Sequence, residues 1–232
     1  MKLTLQGHSE LYAVEQLMMQ LFPEEAEGEA VSTLSPGTTY LTATAKITLH
    51  GRTGHGTKRL PMGEKDNVRL RRRILQQSFY LAAVEVLGFS PPWGALAGVR
   101  PTKLVSAHLL AGGTEQSADK LLKDTYFVSG ARRRLCIDSA RHTVETARLL
   151  RPKDLSVYVG IPFCPTRCAY CSFVSQSVEK FGKDLAPYLD ALEREIRRTG
   201  ALLQKTGRTV RTLYMGGGTP TTLSAPQMER LL

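Results

Sequence analysis

The sequence predicts an α/β protein: an N-terminal α+β region followed by a strand–helix–strand unit of the parallel type. Three observations predict it. Several stretches before residue 150 carry apolar residues at three- and four-residue spacing, interleaved with a run rich in β-branched residues. After Pro152 the pattern changes to a short apolar run at 155–159, a helix-period segment at 184–198 and a second short run at 209–215. Two strands around one helix at this length need a crossover, which makes them parallel and the connection right-handed. The expected domains are 1–151 and 152–232.

The elements follow in order. Residues 2–6 read as a short strand. Ser9 is a candidate cap for a helix whose apolar face is Leu11, Val14, Met18 and Leu21, and Pro23 ends it. An acidic stretch follows (Glu24, Glu25, Glu27, Glu29), then a strand within 38–49. Residues 51–63 hold four glycines and Pro61 and read as a loop. Asp66 is expected to cap a long helix to Leu87, with Val68, Leu75, Phe79, Ala82 and Val86 on one face. Gly88 stops it and Pro91–Pro92 prevents continuation. Pro101 sits in the first turn of a further helix, where its missing N–H costs nothing. Helices are expected near 115–124 and 130–150. Beyond Pro152, 160–176 is a loop, and 184–198 is a helix with Leu185, Leu189, Leu192 and Ile196 on one face and Gly200 as its stop. A final helix begins at Pro226.

Composition narrows the class. The 232 residues are 42% hydrophobic and 22% charged, which excludes disordered and collagen-like chains. The sequence has no apolar run of about 18 residues, so no membrane span is expected, and the polar start MKLTLQGHSELYAV is no signal-peptide core. The net charge of +10 is spread evenly, with 19 Lys and Arg against 14 Asp and Glu in 1–150 and 12 against 7 in 151–232. That suits an anionic partner without naming one.

Chemistry concentrates in GIPFCPTRCAYCSF, where Cys164, Cys168 and Cys171 are spaced CxxxCxxC. Pro162 and Pro165 disfavour regular structure, so the loop can wrap its thiolates around a metal. A structural zinc site needs four protein ligands. All five histidines lie upstream, and Cys136 is 28 residues away. A disulfide would leave one thiol over and suits a secreted chain. An iron–sulfur cluster on three thiolates would leave one iron without a protein ligand, and an open metal position is how a site takes substrate or cofactor. The second motif, Met215-Gly216-Gly217-Gly218-Thr219-Pro220-Thr221, follows the second strand. Its glycines allow close approach of backbone N–H groups to a ligand, or simply a tight turn. Both motifs fall at the carboxyl ends of consecutive strands, where α/β folds place ligands.

The cysteine spacing, with Tyr170 just before the last cysteine, resembles the radical S-adenosylmethionine enzymes. VYVGIPFCPTRCAYCSF and LYMGGGTPTTL narrow the resemblance to the oxygen-independent coproporphyrinogen III oxidase (dehydrogenase) group, and Gly98–Leu104, GVRPTKL, to a longer subgroup with an N-terminal extension. Two positions depart from the group's pattern: Gly160 stands where it has His, and Phe173 where the oxidases have a further Cys. Phe173 resembles instead a haem-chaperone branch.

The resemblance implies that 152–232 begins a partial TIM-type barrel. It implies Cys164, Cys168 and Cys171 as ligands of a [4Fe–4S] cluster whose open iron binds S-adenosyl-L-methionine. Tyr158, Phe163, Tyr170, Gly217, Gly218 and Thr219 are the implied cofactor contacts, with Tyr158 also catalytic. The implied reaction is oxidative decarboxylation of two propionates of coproporphyrinogen III, giving protoporphyrinogen IX, in the cytoplasm. The implied partners are the tetracarboxylate porphyrinogen and a reductive donor such as flavodoxin or ferredoxin. Nucleic acid is not an expected partner, although an RNA-modifying radical enzyme is a rival reading. Only 68 residues follow Cys164, fewer than such a barrel needs, so the chain is expected to be a fragment of a longer protein, inactive alone. Elsewhere, Cys136 is expected to be a packed thiol, Trp93 a packing residue, and Arg69, Arg71, Arg72 and Arg73 a solvated helix face.

Overall fold

The structure is a computed structural model describing residues 1–98 and 100–232; Val99, within the Gly98–Leu104 string, lies outside the described residues. It divides into two compact units, Met1–Arg148 and Leu149–Leu232.

The first unit opens with strand β1 (Lys2–Gln6), helix α1 (Leu11–Leu21) and strands β2 (Glu29–Pro36), β3 (Tyr40–Leu49) and β4 (Arg52–Pro61), followed by helix α2 (Val68–Leu87). The sheet order is β1-β2-β3-β4, with β1 parallel to β2 and the other pairs antiparallel. Every second residue of β2 and β3 is buried (Ala30, Ser32 and Leu34; Leu41, Ala43, Ala45, Ile47 and Leu49). This period of two meets the apolar stripes of the helices, with Val14 and Leu17 from α1 and Leu75, Phe79, Ala82 and Val86 from α2.

Two strands escape the sequence reading. β2 has a plain alternating pattern behind the acidic stretch. β4 lies in the segment expected to be a loop because of its glycines. Those glycines are packing devices: a Cβ at Gly54 would overlap the Ala82 carbonyl oxygen, and one at Gly56 the Ser78 carbonyl oxygen. α2 thus lies directly on the β4 backbone. Two expected caps also shift. α1 starts at Glu10 without a side-chain cap, Ser9 giving only its carbonyl to the Leu11 N–H at 2.8 Å. Leu11 itself is exposed, Ala13 and Leu17 taking the buried face instead. α2 is capped by Asn67, not Asp66: the Asn67 side-chain Oδ1 accepts from the Leu70 N–H at 3.3 Å. Val68 is exposed, while Gly88 closes the helix in the left-handed conformation (φ 74°).

Helices α3 (Pro101–Leu110), α4 (Glu115–Lys120), which continues as a π turn to Thr125, and α5 (Gly130–Arg148) complete this unit. They share a second core of Val105, Leu122, Val128, Cys136, Ile137 and Ala140. Cys136 is buried there, and its burial pushes the thiol above its ordinary pKa. Trp93 packs on this core with the Arg132 guanidinium 5.6 Å from its ring centroid.

The second unit is built on strand β5 (Asp154–Ile161), parallel to a later strand β8 (Thr209–Gly217). Between them lie the two-residue strands β6 (Phe163–Cys164) and β7 (Gln176–Ser177), the short helix α6 (Val178–Phe181) and the long helix α7 (Leu185–Lys205). Helix α8 (Ala225–Leu231) follows with Pro226 in its first turn and a Ser224–Gln227 capping box. Val159 and Ile161 of β5, Leu189 and Leu192 of α7, Leu223 and Leu231 form the core. The architecture is the expected α/β one, with parallel strands flanking a helix. Both strands run longer than expected. α7 also runs through Gly200 to Lys205, and the left-handed turn that ends it is at Gly207 (φ 61°). A helical glycine costs about 1 kcal/mol, and the helix continues through it with Leu203 half-buried beyond. No described helix is long and apolar enough to cross a membrane.

Candidate cluster and cofactor site

β5 and β8 set the site. Their register pairs Tyr158 with Tyr214, Gly160 with Gly216 and Ile161 with Gly217, so the two motifs leave the sheet at the same edge. The chain then closes a loop. Phe163–Cys164 pairs with Gln176–Ser177, and the Gln176 N–H donates to the Pro162 carbonyl at 2.7 Å. Within it, the Cys171 N–H donates to the Cys168 carbonyl at 3.0 Å. Cys164 and Cys171 are half-buried and Cys168 is exposed, all three as free thiols.

The glycine run is tied to the first cysteine. The Gly218 N–H donates to the Ile161 carbonyl at 2.7 Å, the Thr219 N–H to the Phe163 carbonyl at 2.8 Å, and the Thr219 hydroxyl to the Cys164 sulfur at 3.4 Å. A Cβ at Gly218 would lie 2.6 Å from the Phe163 carbonyl oxygen and 2.9 Å from the Cys164 sulfur. Gly217 adopts φ 106°, a conformation L side chains rarely take. Glycine is required at both positions, at Gly217 by its backbone conformation and at Gly218 by the approach to Phe163 and Cys164.

The aromatic residues occupy different settings. Tyr158 is exposed and stacks on Tyr214, with ring centroids 5.7 Å apart. A Cβ at Gly216 would lie 2.8 Å from the Tyr158 hydroxyl and 2.8 Å from the Tyr214 ring, so the two rings cover the bare backbone there. Phe163 is a core side chain, only 4% exposed and edge-on to Tyr188 at 5.4 Å; its backbone carbonyl, not its ring, meets the glycine run. Tyr170 is 90% exposed beside Cys168, whose sulfur, first as hydrogen-bond partner and then by its charge, holds the phenol above its ordinary pKa. The structure brings Cys164, Phe163, Gly217, Gly218 and Thr219 together, whereas Tyr170 projects to solvent.

Two contributors escaped the sequence reading. The Tyr188 hydroxyl donates to the Gly160 carbonyl, and burial raises its pKa. Tyr188 follows Leu185 by three residues on the apolar face of α7, a helical spacing that exposes it to inspection. Tyr214 precedes the glycine run by the same two-residue step that separates Tyr158 from Gly160.

The donor set suits a cluster held by three thiolates: three free thiols on one short loop, one pressed against a side-chain-free backbone. Among the described residues, no three His, Cys, Asp or Glu side chains converge on a single metal position. The three thiols therefore share one short loop without converging on one point.

No family model matches the chain, and no solved structure matches it. Curated proteins do. The chain is 36% identical over 146 residues to the oxygen-independent coproporphyrinogen-III oxidase-like protein HemZ of Bacillus subtilis, covering 62% of this chain and 29% of that protein. This match is longer than the second unit and so extends into the first. It is 41% identical over 78 residues to the heme chaperone HemW of the same organism, covering 33% of this chain and 19% of that one. It is 42% identical over 80 residues to the oxygen-independent coproporphyrinogen III oxidase of Salmonella typhimurium, covering 34% and 17%. The chain thus spans less than a third of the length of each of these relatives. Its homologues are radical S-adenosylmethionine family members of the coproporphyrinogen-oxidase and haem-chaperone type.

Proposed function

We propose that the protein is an oxygen-independent coproporphyrinogen III dehydrogenase of the longer subgroup, acting in the cytoplasm, with residues 1–151 as an accessory domain. Cys164, Cys168 and Cys171 would hold the [4Fe–4S] cluster, and Gly217, Gly218 and Thr219 would receive the amino-acid end of S-adenosyl-L-methionine. The observation that carries this reading is the contact between the two motifs: Thr219 on the Cys164 sulfur, and Gly218 where a methyl group would crowd it.

When bound on Cys164, Cys168 and Cys171, the cluster with S-adenosylmethionine would supply the radical chemistry that converts the propionates to vinyl groups. The chain's own residues position and shield. The Gly218 and Thr219 N–H groups are spent on the Ile161 and Phe163 carbonyls, which fixes the glycine backbone against the cysteine loop. The Thr219 hydroxyl gives the Cys164 sulfur a hydrogen bond that a thiolate accepts better than a thiol. Tyr188 anchors the Gly160 carbonyl, and the Tyr158–Tyr214 pair walls the site with an aromatic surface suited to the adenosine or to the porphyrinogen. A flavodoxin or ferredoxin would deliver the reducing electron.

A second reading is favoured by Phe173, which is 66% exposed on the cysteine loop where the oxidases have a cysteine. An exposed ring there suits haem carriage, the role that the name of the chaperone relative states. The activity is that of the intact protein, and anaerobic reconstitution of the intact protein separates the two. Porphyrinogen-dependent release of 5′-deoxyadenosine with vinyl products supports the dehydrogenase. Stable haem binding without turnover supports the carrier.

A further inference from the structure

The N-terminal end of α2 breaks a local rule. Its first turns hold Arg69, Arg71, Arg72 and Arg73 and no acidic residue. The positive end of a helix disfavours cations, and four arginines within five positions also repel one another. One carboxylate compensates. Glu10, 14% exposed, accepts from Arg72 Nε at 2.6 Å and meets Arg71 at 3.5 Å. No carboxylate partners Arg69 or Arg73 among the described residues, and Arg73 lies over the Tyr126 ring at 5.7 Å. Residues 69, 72 and 73 share one helix face by their three- and four-residue spacing. They line a groove of about 420 Å³ within the first unit, together with Tyr12, Leu104 and Tyr126.

A groove of this size with convergent polar groups on an apolar lining is the ordinary form of a small-molecule site. Violated local rules of this kind concentrate where a ligand compensates them. We propose that the groove binds an organic dianion, two carboxylates on an apolar body, with Arg69 and Arg73 as the anion-binding groups and the tyrosines against the body. The guanidinium fork matches carboxylate geometry. The volume takes a small dicarboxylate or one edge of a larger ring. On the function proposed above, and resting on that reading, the propionate-bearing edge of the porphyrinogen is this ligand. The groove would then hold substrate outside the unit that carries the cysteines.

The test titrates the chain with coproporphyrin III, with its uncharged tetramethyl ester and with inorganic pyrophosphate, for the wild type and for R69Q/R73Q, thermal unfolding confirming that the variant folds. Expected are saturable binding of coproporphyrin III, at least tenfold weaker in R69Q/R73Q, and at least tenfold weaker binding of the ester by the wild type. Equal affinity of wild type and variant for coproporphyrin III overturns the proposal. So does a groove that binds pyrophosphate and no coproporphyrin III. Porphyrinogen-dependent 5′-deoxyadenosine release is measured separately, on the intact protein. If it fails while arginine-dependent binding persists, the function falls and the groove stands; if it succeeds while R69Q/R73Q binds normally, the groove falls and the function stands.

Discussion

In the first unit, Gly54 and Gly56 face inward, and the space where their side chains would be is filled by the backbone of α2. In the second, Gly216, Gly217 and Gly218 clear the backbone at a sheet edge, and the neighbours of that space are two exposed tyrosines, the Ile161 and Phe163 backbone and a cysteine sulfur. The surrounding sheets differ in the same sense. Four strands of the first unit bury one face beneath two helices. The two strands of the second leave Tyr158, Val210, Leu213 and Tyr214 exposed. A pair of strands has little stability of its own, and α7 and α8 cover one side of it. The same residue type thus closes a core in one region and admits the cysteine loop to a strand end in the other.

The largest effect should come from the closed region. Gly56→Ala places a methyl group into the Ser78 carbonyl and should destabilise by about 3 kcal/mol, at the upper end of overpacking costs. Gly63→Ala, which meets nothing within 4 Å, should stay within about 0.5 kcal/mol. Urea unfolding measures both, and equal midpoints would break the account of α2 packing. Next in size is Gly218→Ala in the open region. It should weaken S-adenosylmethionine binding to reconstituted protein by at least about tenfold, ~1.4 kcal/mol. The far-UV signal should stay close to that of wild type and the urea midpoint should fall, by less than in Gly56→Ala, because the Phe163 carbonyl must shift to admit the methyl group. Calorimetry reads the first and circular dichroism the second.

The smallest effect concerns Glu10. Its two arginines, Arg72 foremost, hold the carboxyl below its ordinary pKa of 4.5. A depressed carboxyl stabilises above the ordinary value, and that contribution is lost as pH falls through the lowered one. Glu10→Gln should therefore cost about 0.5–1 kcal/mol at pH 7. The gap between variant and wild type should close in acid. A gap that persists well below the depressed value would show that Glu10 acts by packing and not by charge.

The contrast in glycine use also explains what the sequence could reveal. α2 and α7 were legible because their apolar stripes have helical spacing, and β5 and β8 because their apolar runs flank a helix at crossover length. The two site motifs were legible because thiol spacing and a glycine triplet are local signals. β4 was not, because glycines that admit a helix backbone look the same in sequence as glycines that make a loop. Gly200 misled for a related reason: a glycine reads as a stop unless the stripe beyond it, here to Leu203, is weighed against it. The caps differ by one residue: Asn67, and not its neighbour Asp66, offers the acceptor for α2, while α1 starts after Glu10 with no side-chain cap. The partnership of Thr219 with Cys164 joins residues 55 positions apart and becomes visible only once β5 and β8 pair in register.

The central claim is that the open region is built to hold an iron–sulfur cluster on three thiolates. Metal and sulfide analysis of the anaerobically purified and reconstituted chain tests it most directly. Near four irons and four sulfides per chain, as one cubane requires, with loss of both in Cys164→Ala, is the predicted result. Zinc at one ion per chain, or iron that survives Cys164→Ala, would contradict it.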